Sequence, residues 1–450
     1  MKKLVLLLLG AARRLVQFEI LLLTLVYLYF VLTDQVPLSA FLLIALIWLA
    51  RKWTTGAFTR RTPLDAPIVF ILLWLFVSLA VSINWFTSLP KVYGVLLGAA
   101  FYFALVNQIR TRADLARAAF WLVIVCTGIA AAGLIGTDWA QSRIAGAAFI
   151  YDHLPRFIQG IPRSIAGGFA RNGVGGTLAL TIPLLAALLA SPKSQVQSPE
   201  SQAQSPKSTS DMWANAFFPL VVGAFALSIA TLALTQSRGG ILGTLIGIAG
   251  VALWREKKFA WLLGAAIFAL IILIALGYGN APADSFLRID AANGTLASRM
   301  EVWQRGWMMV QDFPITGIGI GTYNQIAHLL YPFFIAAPDE IVPHAHNQFL
   351  QVAVDMGAPG LIAYVALLSG YLFMCWRGYV RTKDTLIRAL CVGLFCGMLA
   401  HHVFGLTDAF ILGTKPGIVM WIYFGFAGAI YLLTKGHKEN ANGKTTYGNG

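Results

Sequence analysis

The sequence predicts an all-α polytopic membrane protein, with about twelve transmembrane helices and one large external loop containing short helices. Three observations carry that prediction. Of 450 residues, 58% are hydrophobic and only 12% charged, with a mean hydropathy of +0.71; soluble domains carry about 25% charged residues. Apolar runs approaching the roughly 20 residues of a helical span recur along the chain. The basic residues concentrate in alternate connections between those runs. An ordinary soluble domain is excluded, and so, apart from short tails, is a disordered chain.

Taken in order, the chain opens with Met1-Lys2-Lys3 and an apolar stretch from Leu4 to Leu9, which imitates a signal peptide. Arg13 and Arg14 interrupt it and no cleavage site precedes the next run, so it reads as a retained, interfacial N-terminus. Apolar runs follow at about 18–33, 36–50, 66–83, 91–106, 118–135, 173–190, 215–235, 239–254, 259–278, 358–376, 389–403 and 416–433. Residues 1–435 form the transmembrane unit, with long external segments at 136–172 and 279–346. Residues 191–214 open with Ser-Pro-Lys-Ser, Ser-Pro-Glu-Ser and Ser-Pro-Lys-Ser, a low-complexity linker with too little apolar surface to fold. Residues 436–450 form a polar tail. The four cysteines, Cys126, Cys375, Cys391 and Cys396, lie in or beside apolar runs without a CxxC and read as small buried hydrophobes.

With both termini cytoplasmic, the inner segments hold 23 of the 33 Lys and Arg. Short loops rich in Lys and Arg stay inside, so this arrangement fixes the orientation. It also explains the net charge of +14 without a nucleic-acid partner. Ten basic residues remain outside: Lys91, Lys415 and eight arginines, Arg143, Arg156, Arg163, Arg171, Arg238, Arg288, Arg299 and Arg305. Arginine is suited to bidentate phosphate recognition and keeps its proton when partly buried. Any one of them can instead pair with an external acid such as Asp138, Asp152, Asp284, Asp290, Glu301 or Asp339. As a set they point to an anionic substrate at the outer membrane surface.

In the second external segment, Ser298-Arg299-Met300-Glu301 has the S-x-x-E pattern of a capping box. Met300, Trp303, Trp307 and Val310 follow at helical spacing, predicting a helix that buries this stripe on the bundle or in the membrane. Asp312-Phe313-Pro314 ends it, and Gly317, Gly319 and Gly321 mark a tight turn. Among seven histidines, His401 and His402 read as packing residues and His328 has no partner motif. His344 and His346 differ, because Pro343-His344-Ala345-His346-Asn347-Gln348 lies where the external segment enters a membrane helix. An H-x-H pair can be half of a metal site, but no D-x-D or carboxylate-rich motif accompanies it, and no metal is expected. Positive potential at a helix start suits a proton acceptor there better than a cation; a plain capping role is the alternative. External arginines that hold a diphosphate, beside such an acceptor, can serve glycosyl transfer from a lipid-linked donor without a divalent ion.

These residues resemble a known family. His346-Asn347, nine residues, then Gly357-Ala358-Pro359-Gly360 match the H-[NSQ]-x9-G-x-x-G pattern of bacterial O-antigen ligases. Thr235-Gln236-Ser237-Arg238-Gly239-Gly240 looks like the family's S-R-G-G segment, and Ser298-Arg299 with Trp303 resembles the start of its periplasmic helix. Arg163 through Gly167-Gly168-Phe169-Ala170-Arg171-Asn172 is similar to a looser R…G-x-F-x-x-N segment shared with O-antigen polymerases. The motifs span roughly residues 160–360 and the topology spans the chain.

The resemblance implies a GT-C-like, metal-independent, inverting glycosyltransferase with no cofactor. It would move O-antigen from undecaprenyl pyrophosphate to a sugar of lipid A–core at the periplasmic face of the bacterial inner membrane. By position His346 is the implied base, and Arg238 and Arg299 the implied pyrophosphate ligands. Arg163, Arg171, Asn172 and His344 assist in substrate binding, and Asn347 orients His346. No carboxylate matches a catalytic role as clearly. An O-antigen polymerase remains the nearest alternative. A protein O-oligosaccharyltransferase, which often carries an extra C-terminal soluble domain, and a transporter of a lipid-linked anion stand further off.

Overall fold

The computed structural model describes residues 2–33, 37–139, 148–154, 168–191, 209–256, 258, 296–335, 341–410 and 412–443. Arg163, the run at 259–278, most of the 191–214 linker and the start of the 279–346 segment lie outside the described residues. The helices are α1 (Lys2–Gln17), α2 (Glu19–Thr33), α3 (Leu38–Thr55), α4 (Asp65–Ala80), α5 (Trp85–Gln108), α6 (Arg112–Ile135), α7 (Ala148–Asp152) and α8 (Arg171–Ala190). They continue as α9 (Thr209–Thr235), α10 (Arg238–Arg255), α11 (Leu296–Asp312), α12 (Tyr323–Leu330), α13 (Gln348–Arg381), α14 (Thr385–Phe404) and α15 (Lys415–Gly443). Among the described residues there is no sheet, only an isolated bridge between Thr137 and Phe169.

Seven of these helices are long and apolar enough to cross a membrane, or eight if α1 and α2, bent by 55° at Phe18, count as one span. The expected twelve are therefore met in part. Runs at 36–50, 66–83 and 239–254 form α3, α4 and α10, which are shorter or more polar than the other seven. Two boundaries also move. The run expected at 91–106 begins at Trp85, where the Asn84 side chain accepts the Phe86 N–H. The run expected at 358–376 begins at Gln348 and passes through a break.

Small residues set the packing. Within a membrane, close backbone approach and interhelical hydrogen bonds replace the hydrophobic drive. A Cβ on Gly98 would lie 2.2 Å from the Trp421 ring, so α5 sits hard against α15. Likewise a Cβ on Gly243 of α10 would lie 2.2 Å from the Ala400 carbonyl of α14, and one on Gly397 of α14 2.3 Å from the Leu180 carbonyl of α8. Buried hydroxyls find partners: Tyr371 donates to Leu394 O (2.8 Å) and Tyr423 to Leu180 O (3.0 Å). Such bonds contribute about 0.6 kcal/mol each in a membrane, so they fix rotation about the helix axis more than they add stability.

The break in α13 falls at Gly357, whose φ of +67° is left-handed. Freed backbone groups in a span need partners inside the protein, and four of them find one across the break. Ile318 N–H donates to Val354 O, the Ser78 hydroxyl to Asp355 O and the Trp74 indole to Met356 O, while Ala358 N–H donates to Pro314 O. The predicted Gly317–Gly319–Gly321 turn, all three at positive φ, is thus the wedge that fills the break.

One expectation for α11 needs correction. The helix begins at Leu296 rather than after Ser298, and Glu301 accepts the N–H groups of Phe334 and Ile335 at 2.6 and 2.8 Å, tying down the later loop. Of the expected stripe, Trp303 and Val310 are half-buried against the protein, while Met300 and Trp307 are 58% and 57% exposed, on the side left for a membrane. Val302 and Met309 are fully buried beside them, with Gly306 against Leu350. The helix rests on the start of α13, and that neighbour selects a face rotated from the most apolar one.

Candidate active site

Four connections meet at one end of the bundle. Asn347 caps α13 with its side-chain oxygen, accepting the N–H groups of Phe349 and Leu350 at 3.1 Å, while its amide donates to Leu406 O. Gln348 N–H donates to Gly405 O at 2.6 Å, and the Gln348 side chain pairs with both the N–H and the carbonyl of Phe410. The segment 344–348 is thereby stapled to the α14–α15 connection, whose central residue is Asp408.

His346 has φ +47°. A non-glycine residue in that region costs roughly 1–2 kcal/mol, so the surroundings must hold it. Trp303 donates its indole N–H to the His346 carbonyl (3.1 Å), and His346 N–H points at His344 Nδ1 (3.3 Å). Ala345 N–H donates to Gln351 Oε1 (2.6 Å), and Gln351 Nε2 to Asp355 Oδ1 (2.8 Å). Asp355 also accepts Gly321 N–H (3.2 Å), which ties the histidine turn to the wedge in the helix break.

The His346 ring lies with Nδ1 3.2 Å from Asp408 Oδ1, and His344 Nε2 lies 3.6 Å from the same oxygen. The ring centroids are 4.4 Å apart. Burial pushes the His344 imidazole down to about 4, opposed by Asp408 and reinforced by the charges of His346 and Arg299. Burial alone would raise Asp408; the hydrogen bond with His346, the histidine charges and the Ala409 N–H outweigh it and hold the carboxylate below its usual range. Asp408 is thus an ionised acceptor for Nδ1–H of His346, and in that tautomer the ring's lone pair is on Nε2. The imidazole is oriented by Asp408. The Asn347 side chain, among the described residues, bonds the backbone of Phe349, Leu350 and Leu406.

Of the other expected residues, Arg299 lies in the first turn of α11, within electrostatic reach of His344. Arg238 is the first residue of α10, after Gln236 at φ +50° and the N-cap Ser237, whose hydroxyl accepts Gly240 N–H. A Cβ on the adjacent Gly239 would meet the Thr407 hydroxyl at 2.8 Å, so α10 starts beside Asp408's own loop. Arg171 opens α8, but its Nε donates to Asp138 O (2.9 Å) and its guanidinium lies over Trp139 and Tyr151. Asn172 follows it in the same turn. Asp408, Gln351 and Asp355 were missed from sequence. The available signal for Asp408 was a lone acid between two apolar runs on the arginine-bearing side.

The fold and site define a multi-pass membrane protein with a histidine–carboxylate pair among helix N-termini at one end of its bundle. Residues 223–365 match the family model described as O-Antigen ligase. The match takes in Arg238, Arg299, His344 and His346. Over 216 residues, 44% of this chain and 53% of the relative, the chain is 24% identical to an uncharacterized protein of Haemophilus influenzae. Over 159 residues, 34% of each, it is 24% identical to the exopolysaccharide production protein ExoQ of Rhizobium meliloti. The chain spans about half the length of the first relative and a third of the second.

Proposed function

We propose that this protein is an O-antigen ligase: a metal-independent, GT-C-like glycosyltransferase that uses undecaprenyl-pyrophosphate-linked O-antigen as donor and a lipid A–core sugar as acceptor. It works at the periplasmic face of the bacterial inner membrane, with both termini cytoplasmic. The observation that carries the reading is the contact of His346 Nδ1 with Asp408 Oδ1 at 3.2 Å.

With its Nδ1–H donated in a hydrogen bond to Asp408, His346 Nε2 takes the proton of the acceptor hydroxyl. The hydroxyl oxygen then bonds to the donor's anomeric carbon as the bond to the diphosphate oxygen breaks. The electron pair leaves with the diphosphate, where Arg238 and Arg299 meet the growing negative charge. The first N–H groups of α10, which point out of its N-terminus beside Arg238, favour the same charge. Arg171 and Asn172 assist in donor binding, with His344 beside the base; Arg163, given the same role, lies outside the described residues.

The experiment is transfer by purified protein from lipid-pyrophosphate-linked glycan to lipid A–core in the presence of a chelator. Labelled glycan appearing on lipid A–core supports the reading, and none appearing refutes it. The Rhizobium meliloti relative is named for exopolysaccharide production, which leaves open a second reading, polymerisation, in which the acceptor is another lipid-linked glycan. Cells lacking the protein separate the two: a ligase leaves polymer stranded on the lipid carrier, a polymerase leaves single repeat units.

A further inference from the structure

We infer that His344, His346 and Asp408 also form an inhibitory site for a divalent transition-metal ion of the zinc class, and that the ion, when bound, takes His346 out of use as a base. The inhibitory half rests on the proposed role of His346; the metal site itself does not.

The donor set and its spacing carry the inference. His344 Nε2, His346 Nδ1 and an Asp408 oxygen lie within 4.8 Å of one another. Zinc bonds of about 2.0–2.1 Å in a tetrahedron place neighbouring ligand atoms roughly 3.3 Å apart. Two of the three edges are already there, at 3.2 and 3.6 Å. The third, between the histidines, closes by side-chain rotation of about 1.5 Å at most. Two imidazoles and one carboxylate leave a fourth position for water, and imidazole nitrogen selects zinc-class ions over magnesium and calcium. The side chains retain 19%, 26% and 8% of their exposure, so an ion has a path in. Asp408 already accepts Ala409 N–H at 2.9 Å, the outer contact that orients a ligating carboxylate.

Coordination and base chemistry exclude each other through the tautomer. A neutral imidazole carries one proton and one lone pair. Metal on Nδ1 of His346 displaces the Nδ1 proton to Nε2, so that nitrogen has no pair to accept from a hydroxyl. Metal on Nε2 of His344 moves that ring's proton to Nδ1, which gives up the 3.3 Å contact from His346 N–H. Arg299, near enough to act on His344, opposes a cation, so occupancy follows added zinc rather than being permanent.

Zinc binding to the purified full chain is measured by competition with a chromophoric chelator, alongside glycan transfer. One ion per chain is expected at this site. His344→Gln and Asp408→Asn should each weaken it by more than the roughly 10-fold that losing an outer-shell partner costs; His328→Ala, an exposed histidine elsewhere, should not change it. Zinc should suppress wild-type transfer and chelator restore it, with magnesium inert. Unchanged zinc affinity in both folded variants overturns the site, and full transfer at zinc saturation overturns the inhibition. If one variant fails to fold, the other decides. Zinc bound through these residues without transfer even in chelator refutes the transferase, not the metal site.

Discussion

At the scale of single residues, the site divides into a base with its orienting acid and the cations that face the donor. His346→Ala removes the acceptor of the proton and should lower transfer by roughly 10²–10⁴-fold, read as glycan on lipid A–core in cells where insertion of the variant is checked by immunoblot. Asp408→Asn keeps the shape but offers an amide in place of an ionised oxygen, and should lower kcat by about 10²-fold or more with little change in KM. Wild-type kcat in that variant would mean that the carboxylate only packs. Arg238→Lys and Arg299→Lys preserve charge but lose the planar fork; each should cost roughly 10²-fold in transfer. The titration of His344 gives a different readout. Its native pKa is about 4 against an ordinary 6.5. Between those values the unfolded chain takes up a proton that the native chain refuses, so stability is full above 6.5 and falls as the pH drops toward 4. Asp408, held below the usual carboxylate range, continues the loss at lower pH. Thermal unfolding of the detergent-solubilised protein should show this slope, and His344→Gln should flatten its upper part.

At the scale of elements, α13 shows which parts of the site were legible in the sequence. The motif from His346 to Gly360 could be read as a pattern, and the turn of three glycines as a turn. That the turn is the plug of a broken helix could not be read, because its partners, Trp74 and Ser78, lie in α4, more than two hundred residues earlier. The same distance problem hid Asp408, which is 62 residues from His346 and in no shared motif. Periodicity showed the apolar stripe of α11 but not how it divides, with Trp303 and Val310 against the protein and Met300 and Trp307 facing away from it, nor that Val302 and Met309 fill the contact with α13. Gly357→Ala tests the element. A Cβ there would lie 2.2 Å from Ile315 O, on a backbone at φ +67°. The variant should lose more than the roughly 1–2 kcal/mol of the left-handed penalty, seen as a lowered unfolding temperature, and transfer should fall with it.

At the scale of the whole molecule, composition was enough for the class, and charge alternation for an expected orientation; helix count was not, since α3, α4 and α10 sit at the border of what can span. The two ends of the bundle differ as the charges foretold. One carries the Arg112–Asp384 and Arg117–Asp114 pairs, and the other carries His344, His346 and Asp408. Labelling tests the orientation with no background, because all four cysteines are buried. A cysteine replacing Phe86, 90% exposed at the histidine end, should react with an impermeant maleimide added to intact spheroplasts. One replacing Arg117, 76% exposed at the other end, should react only after lysis. The reverse pattern would put the histidines in the cytoplasm and remove the lipid-linked donor from their reach.

The left-handed backbone at His346 has a practical consequence. Asparagine is among the few L-residues that visit that conformation readily, so His346→Asn should preserve the loop's path while withdrawing the imidazole. A silenced but correctly shaped protein of that kind is what is needed to catch both glycolipids in place at once and to image which sugar of each faces the other.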